Sequence, residues 1–468
     1  MGIASTVWFL FRVIPKPQRA TYPCMKVAAP VMSSFVIYLL SLSGIVLAFR
    51  QSKKKFLQAK YLAAGGFLII SVFSAYLYFS YSAKTAKAAR PDGTNNPMGT
   101  GIGIKPGRVA WAWDKNATNE NCTNTGTNGG CNGTDSTTMW PSETNSDYYF
   151  LKKNNNQTVI DSMFVEALKA IADTNSETGA WDKIFKYFNN KKGKGNVGYT
   201  NTEKVFIKTN MGGIWFGANK DPHLNPNPPG YTGCWSTMDG HLRRFFSAQA
   251  VLNSPPFAVL SVIKSLVKAG VPQNMIYVGD PMKQVYQDEY EYWKASFPNI
   301  NVLGNNFNFT GIYNVTTLGR VEALATATDQ IFYSDKGTII SEQSDKLFTI
   351  HQDAAYMINM APIKAHELAC VTLCAKNHFG SQTRNGAGHL HDGLLSTAAD
   401  NKSRSGYGKY RVQVDMMGHK LLGGNTLLFI VDATWAHENG YDDKPAKKWR
   451  KAPFNTDYPN SLFLSQDG

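Results

Sequence analysis

Pro255-Pro-Phe-Ala-Val-Leu-Ser-Val-Ile-Lys-Ser-Leu-Val-Lys-Ala-Gly270 runs directly into Val271-Pro-Gln-Asn-Met-Ile-Tyr-Val-Gly-Asp280. The first half has helical spacing, with apolar side chains at Val259, Leu260, Val262, Ile263, Leu266 and Val267. Proline at its opening and glycine at its stop fit the two ends of a helix. The second half is a short apolar run, Met275–Val278, closed by Gly279 and Asp280. Lys204–Lys208 (Lys-Val-Phe-Ile-Lys) precedes the pair as another strand. Strand, helix and strand in that order belong to a parallel sheet covered by helices.

The same alternation extends in both directions. Upstream, Arg108–Trp113 reads as a strand and Val159–Ala172 as an amphipathic helix. Downstream, Gln284–Phe297 reads as a helix, and Gln330–Tyr333, Lys346–Ile350, Ala355–Met360 and Thr426–Val431 as strands. The expected fold class is therefore α/β, a largely parallel mixed sheet covered by helices and spanning residues 107–468. An Asn/Thr/Gly-rich insertion at 116–138 reads as a surface excursion.

The N-terminus has a different character. Ala29–Phe49 and Tyr61–Tyr81 are uncharged, apolar runs of about 20 residues, the length that crosses a bilayer core. Residues 1–82 are expected to form a two-helix transmembrane hairpin, with spans at about 29–49 and 61–81. Residues 83–106, rich in Ala, Lys, Gly, Pro and Asn, read as a linker. The loop between the spans carries Arg50, Lys53, Lys54, Lys55 and Lys60. Positive loops stay cytoplasmic, so the large domain is placed on the exported side. Cys122 and Cys131 could pair there.

Charge follows this division. The chain has a formal net charge of +14. Residues 1–90 contain twelve Lys or Arg and no Asp or Glu, which leaves the rest near +2. A nucleic-acid binder would carry its basic patch on the folded domain. Membrane topology accounts for the excess instead, and nucleic acid is not an expected partner.

Several strands end in polar residues, namely Lys208-Thr-Asn210, Gly279-Asp280, Lys364-Ala-His366 and Asp432. Ligands of open α/β sheets bind outside the carboxyl ends of the strands. Lys208, Asn210, Lys364, Lys376 and Asn377 are the candidate ligand-binding residues, because ammonium and amide donors suit phosphate or carboxylate. Asp280, His366, Asp432 and Glu438 are the candidate metal ligands, for a divalent cation. His389-Leu-His391-Asp392 is a second, weaker metal pattern. Cys370, Cys374 and His378 would line one face of a helix, where core packing is the preferred reading over a metal site. There is no Walker loop and no Gly-x-Ser-x-Gly elbow, and Gly101-Ile-Gly103 precedes the first strand, the wrong place for a dinucleotide fingerprint.

These stretches resemble the family catalogued as domain of unknown function 362. Val205-Phe-Ile-Lys-Thr-Asn210, Lys268-Ala-Gly270 and Ile276-Tyr-Val-Gly-Asp280 look like its first half. Ile358-Asn-Met-Ala-Pro-Ile-Lys-Ala-His366, Val371-Thr-Leu-Cys-Ala-Lys-Asn-His-Phe-Gly380 and Leu428-Phe-Ile-Val-Asp432 with Glu438-Asn-Gly440 look like its second. The resemblance covers roughly 107–445 in the expected order. Some members of that family carry iron–sulfur modules, which would imply redox chemistry. This chain has cysteines at 24, 122, 131, 234, 370 and 374, with no Cys-x₂-Cys-x₂-Cys run.

Two functions of different classes follow as expectations. One is an anionic small-molecule site at the C-terminal edge of the sheet, with a divalent metal as a candidate cofactor and a metal-assisted enzyme as its catalytic form. The other is a non-catalytic accessory subunit that the hairpin attaches to a membrane protein complex.

Overall fold

Val109–Trp113 (β1), Lys204–Lys208 (β2), Ile276–Gly279 (β3), Asn301–Gly304 (β4), Val321–Glu322 (β5), Ala354–His366 (β6), Cys370–Thr372 (β7), Thr426–His437 (β8) and Ser461–Ser465 (β9) build one sheet in the computed structural model. The structure describes residues 47–86, 101–126, 146–212, 253–305, 315–333, 344–366, 369–392, 394, 411–437 and 446–468. Strand order across the sheet is β1-β9-β8-β6-β2-β3-β4-β5, with β7 paired to the far end of β6. The run from β8 to β5 is parallel throughout. Only β9 and β7 run against it. The fold is α/β with a mixed, largely parallel sheet flanked by helices, as the alternating pattern implied.

The chain divides into two compact units, Met1–Pro97 and Met98–Gly468. In the first, residues 47–57 are helical and Tyr61–Ala86 (α1) is a 26-residue helix. The second expected span falls within α1, whose side chains are described only through Val72 and at Ser74. The first span, Ala29–Phe49, lies almost wholly outside the described residues. Among the described residues, no helix is long and apolar enough to cross a membrane.

In the second unit, Gln157–Ala172 (α2), Glu177–Lys191 (α3) and Pro256–Lys268 (α4) cover one face of the sheet. Strand residues alternate sides, so Val205, Ile207, Ile276, Val278, Ile358, Met360, Leu428 and Ile430 all pack against these helices. Each such fully buried side chain contributes roughly 1.5–3 kcal/mol. Asn156 caps α2 by accepting the Val159 N–H. Past α4, Gly270 adopts φ of +94°, a turn that a side chain would strain. Phe206 and Met357 face the other way, into a second core with Phe379, Leu390, Val412, Met416 and Leu422.

Some expectations need correction. Lys346–Ile350 is not a strand: Leu347 and Phe348 make isolated bridges, and Ile350 opens the short helix Ile350–Asp353. A brief apolar run looks the same whether it is strand or buried turn. The strand read at Gln330–Tyr333 shrinks to Ile331–Phe332, paired with Ser344–Asp345 outside the main sheet. Cys370, Cys374 and His378 form no helical stripe, since Cys370 lies on β7, Cys374 opens the one-turn α-helix Cys374–Asn377 and His378 opens a separate 3-10 turn. Cys122 is a free, buried thiol whose Sγ approaches the Asp147 carbonyl at 3.5 Å, so it is not paired with Cys131. Cys131 and much of the 116–138 insertion lie outside the described residues.

Candidate functional site

β2 is the topological switch of the sheet. The chain leaves it toward β3, β4 and β5 on one side, then returns with β6 and β8 on the other. Crossovers depart in opposite directions at such a point, opening a crevice at the carboxyl ends of the two central strands. Those ends are Lys208 of β2 and its register partner Asn359 of β6. β6 then continues seven residues past Asn359 to His366, beyond the reach of β2. β7 folds back along Lys364–His366 and leads into the short helix Cys374–Asn377. This return brings Lys376 and Asn377 to the end of β2.

A dense hydrogen-bond network closes the crevice floor. Lys208 Nζ is fully buried and donates to the Thr209 carbonyl at 2.9 Å and to Asn377 Oδ1 at 3.0 Å. It also lies 3.4 Å from Asp280 Oδ2. Asn377 Nδ2 reaches the Lys208 carbonyl at 3.2 Å, the Met360 carbonyl at 3.1 Å and Asn359 Oδ1 at 2.9 Å. Asn210 Nδ2 donates to Asn377 Oδ1, and Asn210 Oδ1 accepts from Lys364 Nζ at 3.0 Å. Asp280 accepts the backbone N–H groups of Met211 (3.0 Å) and Met282 (3.3 Å). Gly380 makes room for this contact: a β-carbon there would stand 2.7 Å from Asp280 Oδ1 and 2.9 Å from Lys208 Nζ.

Charge in the cluster is unbalanced. Lys208, Lys283, Lys364 and Lys376 are all buried. Burial pushes each ammonium pKa down, Lys283 to about 8 and Lys364 to about 7. Asp280 opposes that shift for all four, and among the described residues it is the one carboxylate that does. Lys364 is lowered further by Lys208, and Lys376 by both of them. Among the described residues, Lys376 has no hydrogen bond or ion pair, only the Phe379 ring 4.2 Å from its nitrogen.

His366 stands beside the lysines. Burial, then Lys376 and Lys364, hold its pKa at about 3, so the ring is neutral. Its Nδ1 accepts the Ala369 N–H, and its ring stacks on His391 with centroids 5.0 Å apart. Buried His378 is also neutral, set between Asn359 and Ser381.

Of the residues expected at the site, Lys208, Asn210, Asp280, Lys364 and Asn377 are joined by direct contacts, with Lys376 and His366 in the surrounding field. Asp432 is not joined to them. It shares its side of β8 with Leu428 and Ile430, in the helix-covered core, whereas Lys208 and Asn359 lie on the opposite face. Its Oδ1 accepts the N–H and hydroxyl of Thr434, while its buried Oδ2 has no partner among the described residues. Burial raises its pKa to about 6, and no lysine among the described residues acts on it. Glu438 lies outside the described residues. His389 is held by Asp345 at 2.7 Å, apart from His391. Among the described residues, no three His, Cys, Asp or Glu side chains are grouped to hold a metal ion.

The sequence reading missed Lys283 and Asn359. Lys283 lies three residues past Asp280, in the loop after β3, and could have been found as a further polar group at a strand end. Asn359 interrupts the apolar run Tyr356–Met360, and a polar residue inside a buried strand is itself a signal.

Over residues 256–456 the chain matches the family model described as Domain of unknown function (DUF362). This supports the resemblance from residue 256 onward, which takes in Lys268-Ala-Gly270 and Ile276-Tyr-Val-Gly-Asp280 as well as its second half. The matched segment contains Asp280, Lys364, His366, Lys376 and Asn377, and it begins after Lys208 and Asn210. No solved structure matches the chain.

Proposed function

We propose that this chain binds a small molecule bearing a phosphate or carboxylate group in the crevice between β2 and β6, and that its N-terminal helices attach it to a membrane. One observation carries the first part: among the described residues, four buried lysines share a single carboxylate, Asp280. Buried charges without partners cost several kcal/mol each, and a bound anion would supply the missing counter-charge. Lys364 and Lys376 are the free ends of the cluster. Asn210 and Asn377 hold Lys208 and Lys364 in place and supply neutral donors beside them. The lowered pKa values ease the repulsion among the lysines, and an anion would raise them again.

Titration calorimetry with inorganic phosphate and with oxalate tests this reading. At least one should bind the full chain, and Lys364→Ala should weaken it by roughly tenfold or more, the worth of a charge-assisted hydrogen bond. The variant should keep the wild-type unfolding curve. If neither anion binds, the cluster is a structural network and the reading falls.

Support for membrane attachment comes from the apolar runs, the segregated charge and the surface of α1. Leu62, Ile69 and Val72 on that helix are 96%, 71% and 63% exposed. Side chains of that kind fit lipid better than water. Removing residues 1–97 should yield protein that stays in solution without detergent, whereas the full chain should need it. Detergent dependence of the shortened chain would contradict the anchor.

A further inference from the structure

We propose that the exposed aromatic face of β1, together with the basic segment 447–451, docks onto an anionic lipid surface. The proposal rests in part on the membrane reading, since N-terminal helices held in a bilayer keep lipid at a high local concentration around the rest of the chain. It is independent of the crevice between β2 and β6.

The face follows from strand alternation. Ala110 and Ala112 pack on the helix-covered core, which turns Val109, Trp111 and Trp113 to the opposite side of the sheet. There Trp111 and Trp113 are 51% and 49% exposed, with Val109 exposed beside them. The Trp111 ring is held in place. It lies parallel to Phe463, its register partner on β9, with centroids 6.0 Å apart and planes 10° apart. Its indole N–H donates to the Ser461 hydroxyl at 2.9 Å. Phe454 meets the same ring edge-on at 6.4 Å, and Trp449 meets Phe454 at 5.2 Å. Trp449 is itself exposed. These rings fix one another and still present a continuous apolar surface to solvent, which is the mark of an interaction site.

Charge selects the occupant. Trp449 stands in Lys447-Lys-Trp-Arg-Lys451, and no acidic residue occurs between 446 and 456. Lys448, Arg450 and Lys451 are exposed, and Lys448 pairs with Glu120 at 3.6 Å. Tryptophan settles at the headgroup level of a bilayer, and clustered Lys and Arg are drawn to anionic headgroups. Long basic side chains reach those headgroups while the rings beside them enter the apolar layer. A second copy of the chain fits less well. A two-fold pairing along β1 would bring the same basic run to the interface from both sides.

Brominated lipid tests the face, because bromine on the acyl chains quenches tryptophan that enters the bilayer. The full chain is mixed in detergent with phosphatidylcholine, alone or with an equal part of phosphatidylglycerol, and reconstituted into vesicles that are then floated. Quenching should be stronger with phosphatidylglycerol, and Trp111→Phe with Trp113→Phe should remove most of that excess. Arg450→Gln with Lys451→Gln, at exposed positions, should lower the same excess while both variants keep the wild-type unfolding curve. Excess quenching that survives both pairs of changes, or no excess at all in a chain that floats, overturns the docking and leaves the anchor standing. Flotation only with phosphatidylglycerol, abolished by salt together with the excess, supports the docking and removes the anchor. A chain that floats with neither lipid overturns both. Emission that shifts to the blue as protein concentration rises in detergent, with no dependence on phosphatidylglycerol, gives the face to a second copy and overturns the lipid.

Discussion

Replacing Asp280 with alanine is expected to lower the unfolding free energy by about 3–5 kcal/mol, the cost of leaving buried charge without its partner. Asp280 is the carboxylate that acts on all four buried lysines. It also accepts two backbone N–H groups, which the alanine variant would leave unmet. Urea denaturation of the two proteins measures the loss. Added inorganic phosphate should restore part of it, because an anion in the crevice replaces the missing charge. A second change, Lys364→Met, should also restore part by removing a cation. A loss below about 1 kcal/mol, unaffected by phosphate, would mean that the lysines are already neutral and the cluster needs no counter-charge.

Acid should unfold the chain well above the usual range for carboxylates. His366, His378 and His391 are held at about 3, and His351 well below its ordinary value, in each case mainly by burial. In the unfolded chain these rings titrate near 6.5. The folded pKa lies below the unfolded one, so the unfolded state binds more protons in between. The stability is therefore complete above about pH 6.5 and lost as pH falls toward 3. Each such ring adds up to about 1.4 kcal/mol per pH unit. His378, fully buried, could account for roughly 4–5 kcal/mol across the window. Asp432 works in the opposite sense. Its folded pKa of about 6 exceeds the unfolded value, so its contribution is present at low pH and lost as pH rises through 6. One carboxyl cannot offset four histidines. Urea midpoints at about pH 7.5, 6 and 5 should fall steeply, and His378→Asn should flatten the slope by about one proton. A level profile would show that these rings are hydrated in solution.

What could be read from the sequence depended on how local the cause was. The helix Pro256–Lys268 and the strands Lys204–Lys208 and Ile276–Gly279 were legible because spacing, proline and glycine act within a few residues. Strands β4 and β9 were not: no helix pattern frames them on both sides, and their pairing with distant strands makes them strands. The same division runs through the site. Lys208, Asp280, Lys364 and Asn377 could be picked as polar groups near strand ends, since strand direction says where such groups emerge. Asp432 met the same criterion and stands apart, because the alternation of β8 turns it toward the helix-covered face, and a strand end does not say which face a side chain takes. Whether four lysines would share one carboxylate depended on the return of β7 and the short helix Cys374–Asn377 over the end of β2. That juxtaposition joins residues up to 169 positions apart. It is a property of the packed chain, which no window of sequence contains.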